Sequence, residues 1–193
     1  MIILRHGHRQ KISDGTFGHD LTLTEKGKKA SFLLGKKLAD VRWGEVHSSP
    51  LIRCQETAVH FLKGAKQKLL IHLSPLLGNP GVFVFDNEKA GPVFLENTPY
   101  KIMQKLLACE SVPGMRTIDE GGKLFEQYLK SLTLFPCLMI SHDIIIALLY
   151  SYFSKSYHSK FPDYLSGFCL KINGKGDGKS LNVLESPQQN GFL

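Results

Sequence analysis

The feature that most constrains the fold is a set of short, continuously apolar runs that end in polar residues. Residues 1–4 (MIIL) and 138–140 (LMI) have the length and composition of strands that are buried on both faces of a parallel sheet. Each run is followed within two residues by a histidine, His6 and His142. Because the carboxyl ends of parallel strands lie at one edge of a sheet, where α/β folds bind their ligands, we expect the two histidines to meet there.

The rest of the chain alternates between helical and strand patterns. The predicted helices cover residues 24–39, 50–64, 98–109, 118–132 and 143–153. Besides residues 1–4, the predicted strands cover 45–48, 69–73, 137–141, 164–173 and 181–185. This alternation predicts an α/β protein, a three-layer α/β/α sandwich with a mostly parallel sheet, in which the last two strands are candidates for antiparallel pairing.

The chain is predicted to form one domain over residues 1–187. A length of 193 residues is enough to bury a sizeable core. Residues 74–97 are rich in glycine and proline and are predicted to form an irregular excursion that acts as a small lid over the candidate site. Residues 188–193 are predicted to be a mobile tail.

Charge and composition favour some partners over others. The formal net charge of +7 is consistent with a surface that attracts anionic substrates, with nucleic-acid binding or with binding to acidic lipid. The lysines are spread over helix faces, so we predict neither a nucleic-acid nor a membrane partner. The four scattered cysteines and the absence of an amino-terminal leader pattern predict a cytoplasmic protein. The sequence predicts no particular oligomeric state.

Basic side chains surround the first histidine. Arg5 precedes His6 and Arg9 follows it closely, and guanidinium groups so near an imidazole repel one another unless an anion lies between them. A phosphate suits the guanidinium fork. Arg53 lies in the predicted first turn of a later helix, within the segment 46–58 (VHSSPLIRCQETA).

Three motifs together resemble one family. The RHG triplet at residues 5–7, the stretch SSPLxRxxxTA at residues 48–58 and the strand-end His142 occur in the order and spacing of the histidine phosphatase (phosphoglycerate mutase-like) superfamily. The resemblance covers roughly residues 1–60 and 136–155. It implies a phosphoglycerate mutase-like fold and a phosphatase that needs no metal or cofactor. Such an enzyme hydrolyses phosphomonoesters of a small metabolite or a phosphoprotein through a phosphohistidine on His6.

The resemblance also implies roles for the basic residues. Arg5 and Arg53 match the family's phosphate ligands, and His142 is expected to be a further donor to the phosphoryl group. Arg9 matches only the RHGxR variant of the acid phosphatase branch, and a solvated arginine is the alternative. For His6 to attack phosphorus, one ring nitrogen should donate to a backbone carbonyl so that the other presents its lone pair.

The general acid has more than one candidate. Asp143 follows His142 as in the acid phosphatase branch, although it could instead only cap the next helix. In the mutase-like branch the acid is a glutamate on the excursion, and Asp86 or Glu88 could take that place. Asp20 is a weaker candidate.

Other functions remain open at this point. A phosphoglycerate mutase-like phosphotransferase would need a larger lid to exclude water, and a non-catalytic phosphate-binding domain would not need His6. A two-metal site could be assembled from His6, His8, Asp20, His142 and Asp143, although the arginines would repel the cation. Cys54 could be a nucleophile at a helix start, but it is expected to face the packing side.

Overall fold

The computed structural model describes residues 1–13, 15–156, 161–172 and 179–185. The elements in chain order are β1 (Ile2–Arg5), α1 (Glu25–Lys37), β2 (Glu45–Ser48), α2 (Ile52–Ala65), β3 (Ile71–Leu73), a 3-10 turn (Pro75–Leu77), α3 (Asn87–Glu96), α4 (Pro99–Leu107), α5 (Ile118–Lys130), β4 (Cys137–Ser141), α6 (Asp143–Ser154), β5 (Gly167–Ile172) and β6 (Lys179–Leu184). The predicted tail at 188–193 lies outside the described residues.

The strands form one six-stranded sheet in the order β3-β2-β4-β1-β5-β6. The first four strands in this order pair in parallel, whereas β5 is antiparallel to both β1 and β6. Arg5 lies opposite Ser141 in the β1–β4 register, so β1 and β4 end at the same level. The backbone N–H of His6 donates to the carbonyl of Ser141 at 3.0 Å, and the two histidines therefore follow neighbouring strand ends, as predicted.

Helices cover both faces of the sheet. Side chains alternate between the faces along each strand: Leu4 and Ile140 pack in one apolar core with α1 and α2, while Ile3 and Met139 pack in a second core with α4, α5 and α6. This arrangement confirms the predicted three-layer sandwich. None of the helices in the described part of the chain combines the length and hydropathy that a membrane span requires.

Two segments differ from their sequence patterns. The excursion at 74–97 contains α3, whose first turn is capped by the Asp86 carboxylate accepting from the N–H groups of Glu88 and Lys89. Pro92 lies inside this helix, which explains why the local pattern predicted irregular chain. The strand predicted from residue 164 begins only at Gly167, and residues 161–166 form a loop beside β1. The role of 74–97 as a lid stays a prediction.

Candidate active site

His6 is buried at the end of β1 with a defined tautomer. Its Nδ1 lies 2.8 Å from the carbonyl oxygen of Gly7. Because a carbonyl only accepts hydrogen bonds, Nδ1 carries the proton and Nε2 presents its lone pair. This is the tautomer that the attack on phosphorus requires. The N–H of Gly7 donates to Thr57 Oγ1 at 2.9 Å, and this hydrogen bond connects the turn after β1 to helix α2.

His142 lies beside His6, and the two ring centroids are 5.4 Å apart in an edge-to-face arrangement. Its Nε2 is 2.9 Å from Ser49 Oγ and 3.5 Å from Cys54 Sγ. Gly78, whose φ is +141°, packs against the ring so closely that a Cβ at this position would collide with it. The ring is therefore held between the start of α2 and the excursion, with Ser49 and Gly78 as supports that sequence analysis did not identify.

Burial keeps both imidazoles neutral. Desolvation lowers the pKa of His6 well below its ordinary value. Repulsion that would arise if both imidazoles were protonated, and the charge of Arg53, act in the same direction, whereas the hydrogen bond to the Gly7 carbonyl opposes them. Desolvation likewise lowers the pKa of His142, and the charges of Arg53 and Arg5 act in the same direction. At neutral pH the pair is therefore uncharged, and the His6 lone pair is available for attack.

These lowered pKa values predict that acid destabilises the folded protein. Below pH 6.5 the unfolded chain protonates both histidines while the folded chain does not, so the free energy of unfolding should fall as the pH drops from 7 to 5. The limiting slope is about 1.4 kcal/mol per pH unit for each ring. Urea denaturation across this range should give a shallower slope for His6→Asn than for wild type. Equal slopes would contradict a neutral buried His6.

Three arginines near the histidines have unused donors. The Nε atoms of Arg5, Arg9 and Arg53 are buried and have no hydrogen-bond partner within the described ranges of the chain. Arg53 is itself buried and donates through Nη1 to the Gly18 carbonyl at 2.7 Å, and desolvation lowers its pKa. Because unsatisfied charged donors are costly, these arginines are suited to an anion with several acceptor oxygens.

Arg5 also makes contacts that its motif did not predict. Its Nη2 pairs with Asp143 Oδ2 at 2.7 Å, and its Nη1 donates to the Pro162 carbonyl at 2.7 Å. The other Asp143 oxygen, Oδ1, accepts from the N–H of Ile144 at 2.9 Å. The guanidinium carbon of Arg5 also lies 4.2 Å from the ring centroid of Tyr164. No sequence motif indicates a functional role for Tyr164, and the local pattern predicts that it lies in a strand.

The other acid candidates have their own contacts. Asp86 caps α3 and pairs with Lys89 at 3.0 Å, and the hydrogen bond from Lys89 lowers its pKa. Glu88 lies in the first turn of the same helix. Asp20 is exposed in the loop that precedes α1.

The two rival chemistries find little support in the site. Burial raises the pKa of the Cys54 thiol to about 12, which opposes the thiolate that a cysteine nucleophile requires. Among the residues that the structure describes, no group of three or more His, Cys, Asp or Glu side chains is arranged to hold a metal ion.

Comparisons with known sequences give the same family as the motifs. The family model described as "Histidine phosphatase superfamily (branch 1)" matches residues 1–77. The mitochondrial serine/threonine-protein phosphatase Pgam5 of Drosophila melanogaster is 35% identical over 65 residues, which are 33% of this chain and 22% of that protein. The matched segment is thus about a fifth of that relative's length.

Solved structures match over nearly the whole chain. A mycobacterial glucosyl-3-phosphoglycerate phosphatase has a TM-score of 0.67 and 16% identity, with 96% of this chain and 98% of that chain covered. The protein histidine phosphatase SixA, complexed with tungstate, has a TM-score of 0.59 and 18% identity over 98% of this chain and 97% of that one. A phosphoglycerate mutase from Bacillus anthracis has a TM-score of 0.62 and 18% identity, with 95% and 91% coverage. These similarities confirm the phosphoglycerate mutase-like fold.

Proposed function

We propose that the chain is a histidine phosphatase, since residues 1–77 match the model of that superfamily, and that it hydrolyses phosphomonoesters through a covalent phosphohistidine on His6. The observation that carries the proposal is the state of the His6 ring. The ring is buried and neutral, with Nδ1 bonded to the Gly7 carbonyl and the Nε2 lone pair free, beside arginines with unused donors.

In the first step the Nε2 lone pair of His6 attacks phosphorus. The N–P bond forms as the bond from phosphorus to the ester oxygen breaks, and that oxygen leaves with the electron pair and takes up a proton. Arg53, Arg9 and His142 bind the equatorial phosphoryl oxygens, where charge is concentrated in the transition state. In the second step a water oxygen attacks phosphorus and gives a proton to the conjugate base of the group that protonated the ester oxygen. The N–P bond breaks, its electron pair returns to His6 Nε2, and inorganic phosphate leaves.

We retain Asp143 as the proposed proton donor. It follows His142 directly and its carboxylate pairs with Arg5 at 2.7 Å. Proton transfer from Asp143 therefore requires that this ion pair opens, with the phosphoryl group of the substrate taking the place of the carboxylate beside Arg5. Arg5 then becomes a phosphate ligand in the bound state, and the released Asp143 carboxylate takes up a proton from solvent, which it donates to the leaving ester oxygen.

The substrate is proposed to be a phosphorylated small molecule or a phosphoprotein. The Drosophila relative is a serine/threonine-protein phosphatase and the mycobacterial neighbour is a glucosyl-3-phosphoglycerate phosphatase, so phosphoesters of both kinds are represented among similar proteins. The four free cysteines support a reducing compartment, and we propose that the enzyme acts in the cytoplasm.

The proposal is tested by trapping the phosphoenzyme. We expect p-nitrophenyl phosphate to be hydrolysed in excess chelator, and a rapid quench at alkaline pH to leave one phosphate per chain in a linkage that resists base and breaks in acid. Peptide mapping should place this phosphate on His6. Activity that the chelator abolishes, or a phosphate trapped on another residue, would overturn the proposal.

A phosphotransferase is the second candidate, because the Bacillus anthracis neighbour is a phosphoglycerate mutase. The same experiment separates the two reactions. A hydrolase releases inorganic phosphate at the rate at which the phosphoenzyme decays, whereas a mutase transfers the phosphoryl group to an added alcohol or phosphoglycerate faster than to water. A non-catalytic phosphate-binding domain would bind inorganic phosphate and form no phosphoenzyme.

A further inference from the structure

The ring of Tyr164 lies against the groups that would handle the phosphoryl transfer. Its centroid is 5.7 Å from that of His6 and 5.1 Å from that of His8, and it lies 4.2 Å from the guanidinium carbon of Arg5. The Tyr164 side chain is partly exposed, so some of the ring surface is accessible beside the nucleophile. His8 is itself positioned by Thr24, whose Oγ1 is 2.8 Å from its Nδ1.

The loop of residues 161–166 fixes Tyr164 in this place. The backbone N–H of Arg5 donates to the Ser166 carbonyl at 2.9 Å, and the N–H of Leu165 donates to the Arg5 carbonyl at 3.2 Å. Leu165 is buried in the left-handed region with φ of 59°. A leucine adopts this conformation only where its surroundings enforce it, and such positions concentrate at functional sites. The loop therefore fixes the position of Tyr164 beside the end of β1.

Two further aromatic rings lie in the neighbourhood of Arg5. The ring centroid of Phe161 lies 5.9 Å from the guanidinium carbon of Arg5, and the ring of Tyr100, at the start of α4, packs edge to face against Phe161 at 5.9 Å. Tyr100 is exposed. Arg5 thus has two aromatic neighbours, Tyr164 and Phe161, of which Tyr164 is the one that also lies beside His6.

On the basis of the proposed function, we infer that Tyr164 is a specificity-determining residue that contacts the leaving group. The enzyme should prefer phosphomonoesters whose leaving group carries an aromatic ring. A phosphoryl group held at His6 has its ester substituent beside the nearest accessible walls, and Tyr164 is one of them. An aromatic substituent can stack on this ring or meet it edge to face, which a saturated ring of the same size cannot do.

The test compares benzyl phosphate with cyclohexylmethyl phosphate. Both esters release a primary alkoxide and have rings of similar size, so the comparison isolates the aromatic contact from leaving-group chemistry. We expect wild type to favour the benzyl ester in kcat/KM by roughly 3- to 10-fold. Tyr164→Phe should keep this ratio and Tyr164→Leu should reduce it to about 1. Phe32→Leu, which replaces an exposed aromatic residue on helix α1, should leave it unchanged.

The ratio separates specificity from positioning. If Tyr164 only supports Arg5, Tyr164→Leu lowers kcat/KM for both esters equally and the ratio persists, which would overturn the inference while leaving the proposed function intact. A wild-type enzyme that hydrolyses both esters equally well would also overturn the inference and leave the proposed function intact. A wild type that hydrolyses p-nitrophenyl phosphate but neither of these esters would overturn the inference alone. One that hydrolyses none of the three would overturn the proposed function, and this inference with it.

Discussion

The variant His6→Ala should lose at least about 10³-fold in kcat for every phosphomonoester that the wild type hydrolyses, since removal of a nucleophile eliminates the covalent route. Because Arg53 and Arg9 remain, the variant should still bind inorganic phosphate with an affinity within about tenfold of wild type. The loss should therefore appear in kcat. Steady-state kinetics with p-nitrophenyl phosphate, together with calorimetric titration of phosphate, measures the two effects separately.

The matched control is His60→Ala, which removes an imidazole from helix α2. The pKa of His60 is lowered chiefly by desolvation, as is that of His6, but His60 takes no part in the proposed mechanism and interacts electrostatically with Lys63 and Glu56. It should retain wild-type turnover. Unchanged turnover in a folded His6→Ala protein would contradict the phosphohistidine mechanism. Loss of phosphate binding in that variant would instead show that His6 supports the anion site.

The meeting of the two histidines could be predicted because it depends on short-range patterns. Residues 1–4 and 138–140 are apolar enough to be central strands, and a histidine follows each. Parallel pairing of β1 with β4 then brings the strand ends together. The position of Arg53 is equally local, since it lies one residue inside α2. For these features the pattern within each segment determines where the side chain is placed.

The surroundings of Arg5 could not be predicted in this way. The Pro162 carbonyl that it binds is 157 residues away in sequence, and the loop that provides this carbonyl has Leu165 in a conformation that leucine does not favour by itself. Local propensity predicts a strand at Tyr164 because it does not register these long-range contacts, which hold the segment as a loop. Helix α3 was missed because Pro92 argues against a helix locally, whereas burial of Ala90 and the Asp86 cap stabilise it.

The contacts of Asp143 determine how a test of the general acid should be designed. Asp143→Asn removes a proton donor but also breaks the ion pair with Arg5. The two effects differ in their dependence on the leaving group, because loss of an acid matters only when the departing oxygen needs a proton. We expect kcat to fall by about 10²- to 10⁴-fold for an alkyl phosphate and by less than about tenfold for p-nitrophenyl phosphate, whose phenolate departs readily without one.

The rival acids are tested by the same comparison. Asp86→Asn and Glu88→Gln should change kcat equally little for both esters, since Asp86 is held as the cap of α3 and Glu88 lies in its first turn. A leaving-group-dependent loss in either variant would transfer the acid role to the excursion. If Asp143→Asn slowed both esters to the same extent, Asp143 would act only by orienting Arg5. The ion pair would then be part of the phosphate site, and the proton for the leaving group would come from another donor.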